Sequence, residues 1–510
     1  MTSVGRSRRG GSRGQSRGGS RGQSRDGGSD MDRGTGRVRG VVALGFTAAM
    51  VGAACAPDEL ATRPGTATAA TGAPARAAGE TAGPAGAPST EAEVLALLAG
   101  VVAQPTSDGV RKLTAAMASS GDPKWAPYLV DLVRVGVSNV GTDEAFDALA
   151  GLTGIDRPRG VNQAYLTYGN WVLERAPDPG PGYKAFKVEM YRGLDPDFGP
   201  LLEQIDDNRL LAGLQWGGVP FGAIRELNDP VKAAPASLGW ARPNELVVSG
   251  SVNGDIVGYP VRIVGKHELV NDTVAGRQIV MSYCTLCRTA TIYDRRVGDH
   301  TLDFVTSGLL LQSNKVMVDR QTSTLWQQLT GEALAGPLAG TRLAALPTET
   351  FTWREWTATH PEATALAIPE PFIPDPEAGG ALTAYDYRPE TIQPGYYASD
   401  ELWYPVLDTP EVFALKAEVV TIELDGRALA VGRDELAAAG PQVVELAGRR
   451  LAVVPTEVGA RVYDVSGPNA PPPGPLPAGV SLPDVARLAN GQSFWFAWYG
   501  IHPDTEWWPR

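Results

Sequence analysis

Apolar and polar positions change their rhythm along the chain, and each change marks a different kind of element. From residue 91 to about 204 the apolar residues fall at helical spacing, with Val94, Leu97, Leu98 and Val101 on one face. Asp122-Pro123 supplies a cap and a first-turn proline ahead of Trp125, Leu129, Leu132 and Val133, and Gly141-Thr142-Asp143-Glu144 opens a further helix. The phrase Gly121-Asp122-Pro123 with Leu129-Val130 and Leu132-Val133 is like that of helical-hairpin repeats, yet no fixed period recurs. A helical domain that packs on its neighbour is therefore expected, rather than a peptide-binding solenoid.

Farther along, the pattern turns to strands. The run Leu246 to Val252 meets Asn253-Gly254, a strong hairpin signal, and Ile256-Val257-Gly258-Tyr259 follows it. Ile279 to Cys284 is an apolar, β-favouring run that ends in Cys284-Thr285-Leu286-Cys287. Residues three apart on a continuing strand point to opposite faces, so the two cysteines act together only if the backbone turns at Thr285-Leu286. Ala290 to Tyr293 then reads as the next strand, which argues against the strand-to-helix setting of thioredoxin-type sites. After residue 395 the plan returns: Val419 to Leu424, Asp425-Gly426, Ala428 to Val431, then Leu451 to Pro455 where the cysteine strand stood, with Arg461-Val462-Tyr463-Asp464 echoing Thr291-Ile292-Tyr293-Asp294. The expected class is α+β, a helical N-terminal domain followed by a β-rich, internally duplicated core. The expected divisions are 1–54, 55–90, 91–204, 205–370 and 371–510, the last being a second copy without cysteines.

The N-terminal residues carry a different message. Residues 1–30 repeat Gly-Ser-Arg-Gly-Gln-Ser-Arg and hold almost nothing apolar to bury, so disorder is expected, and an RNA-binding tail is one reading of such a tract. Arg33, Arg37 and Arg39 precede an apolar run from Val41 to Ala54, too short to span a bilayer and closed by Gly52-Ala53-Ala54-Cys55. That is the pattern of a secretory signal; it resembles a bacterial lipoprotein signal, in which Cys55 would carry the lipid, although Gly52 stands where Leu or Val is preferred. Met31 offers a start with an n-region of ordinary length. Residues 56–90 are mainly Ala, Gly, Pro and Thr, a flexible tether of the kind a membrane-anchored domain needs. The expected location is the cell envelope, with the membrane as partner through the lipid.

Charge separates these regions. Residues 1–40 hold ten Arg against Asp26, Asp30 and Asp32, a net +7, which leaves −19 on the rest of a chain whose total is −12. An acidic body of that size argues against nucleic acid as a partner.

The central motifs occur in a fixed succession. Trp216-Gly217-Gly218-Val219-Pro220, Asn228-Asp229-Pro230, Val257 to Arg262, His267-Glu268-Leu269-Val270-Asn271-Asp272 and Tyr283-Cys284-Thr285-Leu286-Cys287 lead to Tyr293-Asp294-Arg295, Phe304, and Ser307-Gly308-Leu309. Met317 with Asp319-Arg320-Gln321-Thr322, Leu325-Trp326, Gly331, Phe494 to Trp498 and His502-Pro503-Asp504-Thr505 complete it. This succession resembles the bacterial family called domain of unknown function 3179, whose signature is Tyr-Cys-Pro-Leu-Cys downstream of His-Glu-x-x-Asn-Asp. Thr285 replaces the usual Pro and Arg288 the usual Gly. The resemblance implies a shared fold unit and a shared site, and it supplies no reaction.

Chemistry therefore has to be read from the residues. A closely spaced cysteine pair outside the cytoplasm serves as a structural disulfide, a redox-cycling dithiol or half of a metal site. Two thiolates suit copper or zinc, with further ligands from His, Met or a carboxylate. Of His267, His300, His360 and His502, His267 is the leading third ligand, with Glu268 and Asp272 placed to orient its ring. Met317, Asp319, Arg320, His502 and Asp504 are further candidates from the same motifs, although Met281 and Met317 are most simply core residues. The expected function is metal binding or thiol redox in the envelope; the alternative is a non-catalytic interaction module in which the pair forms a small disulfide.

Overall fold

The first helix, Glu91–Ala103, begins where Thr90 accepts the Glu93 amide while the Glu93 carboxylate returns to the Thr90 amide, a reciprocal cap that satisfies two otherwise orphaned donors. Its buried face is Val94, Leu98 and Val101, as the spacing requires. The computed structural model describes residues 89–104, 106–136, 142–369, 387, 394–482 and 487–510; the signal-like segment, Cys55 and the expected tether up to residue 88 lie outside them, while Thr90, placed in the tether, belongs to the helix as its cap. Asp122 caps the short turn Pro123–Trp125. The helical region runs past residue 204 to Asn208–Gly213. No helix among the described residues is long and apolar enough to cross a membrane.

A buried ion pair between two helices also reaches the neighbouring sheet. Lys187, on the helix Gly182–Arg192, lies 3.0 Å from Asp131, on the helix Ala126–Val135, and both are fully buried. Tyr183 donates to Asp131 at 2.6 Å, and Lys187 also donates to the Leu214 carbonyl at 2.6 Å. Leu214–Trp216 is the edge strand of a five-stranded sheet and pairs with Phe304–Leu311. The two charges thus carry enough partners to tolerate burial, and those partners tie helix to sheet.

Two further sheets share one order. In the first, Thr348–Thr352, Leu246–Val252, Asp255–Pro260 and Thr364–Leu366 are neighbours, with Lys232–Ala233 beyond. In the second the order is Gly491–Phe494, Glu418–Leu424, Arg427–Gly432 and Glu506–Trp508. The fourth strand runs parallel to the third in both, and the other pairings among these four are antiparallel. Each central hairpin leads into a short helix, Val261–His267 or Arg433–Ala439. The hairpin turns are the expected ones: Asn253-Gly254 and Asp425-Gly426 both adopt positive φ. The helix Val261–His267 was not expected, because its β-branched residues favour strand; Pro260 at its entry and burial of Ile263 and Val264 outweigh that preference.

The cysteine strand Arg277–Cys284 lies between Leu269–Val274 and Thr289–Asp294 in another five-stranded sheet. Its register pairs Cys284 with Thr289, so the chain reverses over Thr285 to Arg288. The tip of this hairpin leaves its own sheet's core: Cys284, Leu286 and Cys287 join the apolar cluster of the N-terminal helices, with Leu214, Leu309, Tyr396 and Phe494.

Candidate dithiol site

The reversal expected at Thr285-Leu286 is present, and it brings the two sulfurs within hydrogen-bonding reach of one another. Both cysteines are free thiols and both are buried, Cys284 at 2% and Cys287 at 0% exposure. Three clasps from distant parts of the chain hold the turn. Phe494 donates its amide to the Cys287 carbonyl at 2.9 Å, and Tyr397 donates its hydroxyl to the Thr285 carbonyl at 2.8 Å. Arg288 pairs with Glu418 at 2.5 Å and lies over the Tyr397 ring. Arg288 has φ 55, the left-handed geometry that a glycine adopts without cost, so the ion pair and the ring contact hold a side chain in a strained position.

Beneath the turn sits a charge that the sequence reading missed. Lys315, 3% exposed, lies 2.8 Å from the Glu268 carboxylate and donates to the carbonyls of Glu268 at 3.2 Å and Tyr283 at 3.0 Å. An ammonium has three donors, and these partners use all of them. No local signal marks Lys315, because it comes from the strand Asn314–Asp319 of the neighbouring sheet, and only tertiary pairing places it here.

The two thiols differ in acidity. Burial opposes ionisation of Cys284, as does the Glu268 carboxylate; the Cys287 thiol, the Lys315 ammonium and the Lys315 amide outweigh them and bring Cys284 below the ordinary thiol value. Burial pushes Cys287 well above that value, and its proximity to Cys284 adds to the effect. Cys287 also reaches the Ser313 carbonyl at 3.2 Å. The arrangement is a proton held between two unlike sulfurs, with Cys284 as the more nucleophilic one.

The other expected residues take different places. His267 is the last residue of its helix and is 2% exposed; Nδ1 lies 2.7 Å from the Arg225 carbonyl and Nε2 2.6 Å from the Tyr387 hydroxyl. A carbonyl only accepts, so Nδ1 carries the proton and Nε2 accepts from Tyr387, consistent with burial holding the ring's pKa below the ordinary value. Arg225 and Tyr387 orient the ring, in place of Glu268 and Asp272. Glu268 is turned to Lys315 and receives the Thr285 hydroxyl at 3.2 Å, while Asp272 receives Tyr259 at 2.9 Å and pairs with Lys232. Met317 packs with Phe304 and Trp326 in a separate cluster. Asp319 caps a turn through the Thr322 amide and Trp326, Arg320 pairs with Glu226, His502 lies 3.1 Å from Glu423, and Asp504 is exposed. Among the described residues no group of three or more His, Cys, Asp or Glu side chains is arranged to hold a metal ion.

A narrow cleft of about 50 Å³ lies beside the same hairpin, lined by Tyr283, Arg288, Glu418, Arg433 and Asn490 among others. Comparison with known proteins adds a family and nothing about chemistry. No curated protein and no solved structure matches the chain. One family model, described as "Protein of unknown function (DUF3179)", matches residues 223–505, more than half of the chain and including every element of the cysteine hairpin. The chain belongs to the DUF3179 family.

Proposed function

We propose that Cys284 and Cys287 form a dithiol–disulfide redox couple in a protein anchored to the bacterial cell envelope. The observation that carries this reading is the pair of unbonded, adjacent thiols on a turn clasped from three distant segments. Such a turn keeps two sulfurs together in both redox states without leaving their pairing to chance. In the forward half-reaction two thiols lose two electrons and two protons and become a disulfide; an external disulfide or other oxidant takes the electrons. Equilibration of purified protein against glutathione buffers, read by a thiol count, tests it. A single midpoint that vanishes in Cys284→Ser supports the couple; thiols that never oxidise, or a bond that no dithiol reduces, oppose it.

A soft metal ion, copper or zinc, is the second reading, favoured by the adjacency of the two thiols, one at the end of the cysteine strand and one on the turn that follows it. His267 would join only by giving up Tyr387. Metal analysis of protein purified without chelator decides between these readings. A permanently closed disulfide in an interaction module would instead release thiols only on reduction.

The envelope location rests on the apolar run before Cys55 and the tether after it. Cys55→Ala should release the protein from membranes or leave it unprocessed. The internal duplication is likewise proposed, and is supported by the two sheets of like order and by a phrase in each: Trp353-x-x-Trp356-x-x-x-His360-Pro361-Glu362 and Trp495-x-x-Trp498-x-x-x-His502-Pro503-Asp504. Both phrases form a seven-residue helix between the first and fourth strands of their sheets. In this scheme the Pro455–Ala460 turn of the second copy corresponds to the cysteine turn of the first.

A further inference from the structure

We infer that residues 395–401 form a lid over the dithiol, latched by Lys416, and that the pair meets its redox partner only when this lid lifts. The inference rests on the redox reading above and adds how access to the couple is controlled. Its starting point is burial. Cys284 and Cys287 are 2% and 0% exposed, and neither lines the narrow cleft beside the hairpin. Thiol–disulfide exchange needs a direct approach to sulfur, so part of the covering has to move.

The covering is thinnest at one place. Leu214, Leu309 and Asn314 lie on strands and Phe494 ends one, so moving them would take a sheet apart. Residues 395–401 pair with no strand among the described residues, and beyond the four-residue helix Pro394–Tyr397 they have no regular structure. Gly395, Ala398, Asp400 and Glu401 are exposed, whereas Tyr396 is buried and Tyr397 half-buried. Both rings face the site. Tyr396 shares the apolar cluster of the two cysteines, and its hydroxyl bonds the hydroxyl of Ser313, the residue whose carbonyl Cys287 reaches. Tyr397 donates to the Thr285 carbonyl.

Lys416 holds this segment from a rigid base. Its ammonium donates to the carbonyls of Tyr396 at 2.6 Å, Ser399 at 2.5 Å and Glu401 at 2.7 Å, and lies 3.5 Å from the centroid of the Tyr396 ring. All three of its donors are thus spent on the lid. The residues on either side of Lys416 are fixed elsewhere: the Leu415 and Ala417 carbonyls accept the Phe496 and Trp495 amides at 3.0 and 2.9 Å, and both of those donors belong to fully buried residues. Beyond the lid the chain is fixed again, because Leu402 is buried and its carbonyl accepts from Asn162 at 3.2 Å. The segment can therefore swing about Glu401-Leu402 by giving up one lysine, two tyrosine hydroxyl contacts and one buried ring, with every sheet intact. Local openings of this size lie well below global unfolding in free energy.

The test uses the full chain with Cys55→Ser, so that only this pair is counted. Modification of the two reduced thiols by 5,5′-dithiobis(2-nitrobenzoic acid) is followed in rising urea below the unfolding transition. Lifting a short lid uncovers little surface, so the rate should be nearly flat in urea, whereas access through global unfolding makes it rise steeply. Lys416→Met keeps the apolar stem, removes the three bonds, and should raise the flat rate by at least about tenfold. Tyr397→Phe should raise it by roughly three- to tenfold. A wild-type rate that follows global unfolding throughout, or Lys416→Met thiols that react no faster than wild type at the same urea, overturns the inference. The redox reading is judged separately by its midpoint in glutathione, which equilibrates through a slow opening as well as a fast one. A midpoint without lid control removes the lid alone; lid-controlled thiols without a midpoint remove the couple.

Discussion

Lys315 reaches from its sheet to the carboxylate of Glu268, the residue that caps the helix Val261–His267, at 2.8 Å, and donates to the Tyr283 carbonyl next to Cys284. A buried ion pair of this kind contributes little net stability, because each charge has first been taken out of water. Its effect on the site is electrostatic. The ammonium lowers the cost of a thiolate at Cys284, and the carboxylate limits that gain.

The first prediction concerns this balance. Titration by thiolate absorbance should show one ionisation below the ordinary thiol value and a second far above it. Lys315→Met should move the first upward, and Cys287→Ala should do the same by removing the proton donor. Two overlapping ionisations near the ordinary value would refute the asymmetry.

Arg288 tests the clasp. Arg288→Ala loses the Glu418 pair and the Tyr397 contact while keeping a strained backbone; Arg288→Gly loses the same contacts but relieves the strain. The alanine variant should therefore be less stable than the glycine variant by about 1 kcal/mol in urea unfolding. Equal stabilities would mean that the left-handed geometry costs nothing here.

Lys187→Met should cost about 3–5 kcal/mol, because it leaves the Asp131 carboxylate buried without its counter-ion. Adding Asp131→Asn should recover part of the loss. A double variant as unstable as the sum of the singles would show that the two residues act independently.

Acid should weaken the cysteine sheet through Asp294. Burial opposes ionisation of its carboxyl, but Arg296 and Arg277 outweigh burial and hold its pKa at about 2, below the ordinary 3.8. The folded state thus binds fewer protons than the unfolded state between those values. Its contribution is complete above about pH 4 and is lost as pH falls toward 2, on the order of 2 kcal/mol at most, since Arg296 is half exposed. Asp294→Asn should flatten that limb of the stability–pH curve.

The parts of this fold that could be read from sequence were those with local causes. Thr90 and Glu93 cap a helix three residues apart, Asn253-Gly254 and Asp425-Gly426 close hairpins, and alternating apolar residues declare the strands. The turn at Thr285-Leu286 was legible for the same reason, since two thiols three apart cannot share a face on a straight strand. Gln312-Ser313 turns with φ of 53 and 61 and contains no glycine, so its hairpin gave no such sign. The surroundings of the thiols were hidden because they arrive from afar: Lys315, Tyr396, Tyr397 and Phe494 meet the turn only when sheets and helices pack. His267 misled because a His-Glu pair beside a Cys motif invites a metal reading, whereas its ring is already committed to Arg225 and Tyr387. Gly308 gives the opposite lesson: its φ is 82 and a Cβ there would fall 2.6 Å from the Val219 carbonyl, so two separate sequence motifs are two sides of one contact.

The Phe494 amide on the Cys287 carbonyl has a consequence for how the protein is made. A ribosome completes Cys287 long before Phe494 exists, so throughout the intervening synthesis the turn lacks its last clasp. A chain cut short before residue 494 would carry the same two cysteines on a turn held by two clasps in place of three.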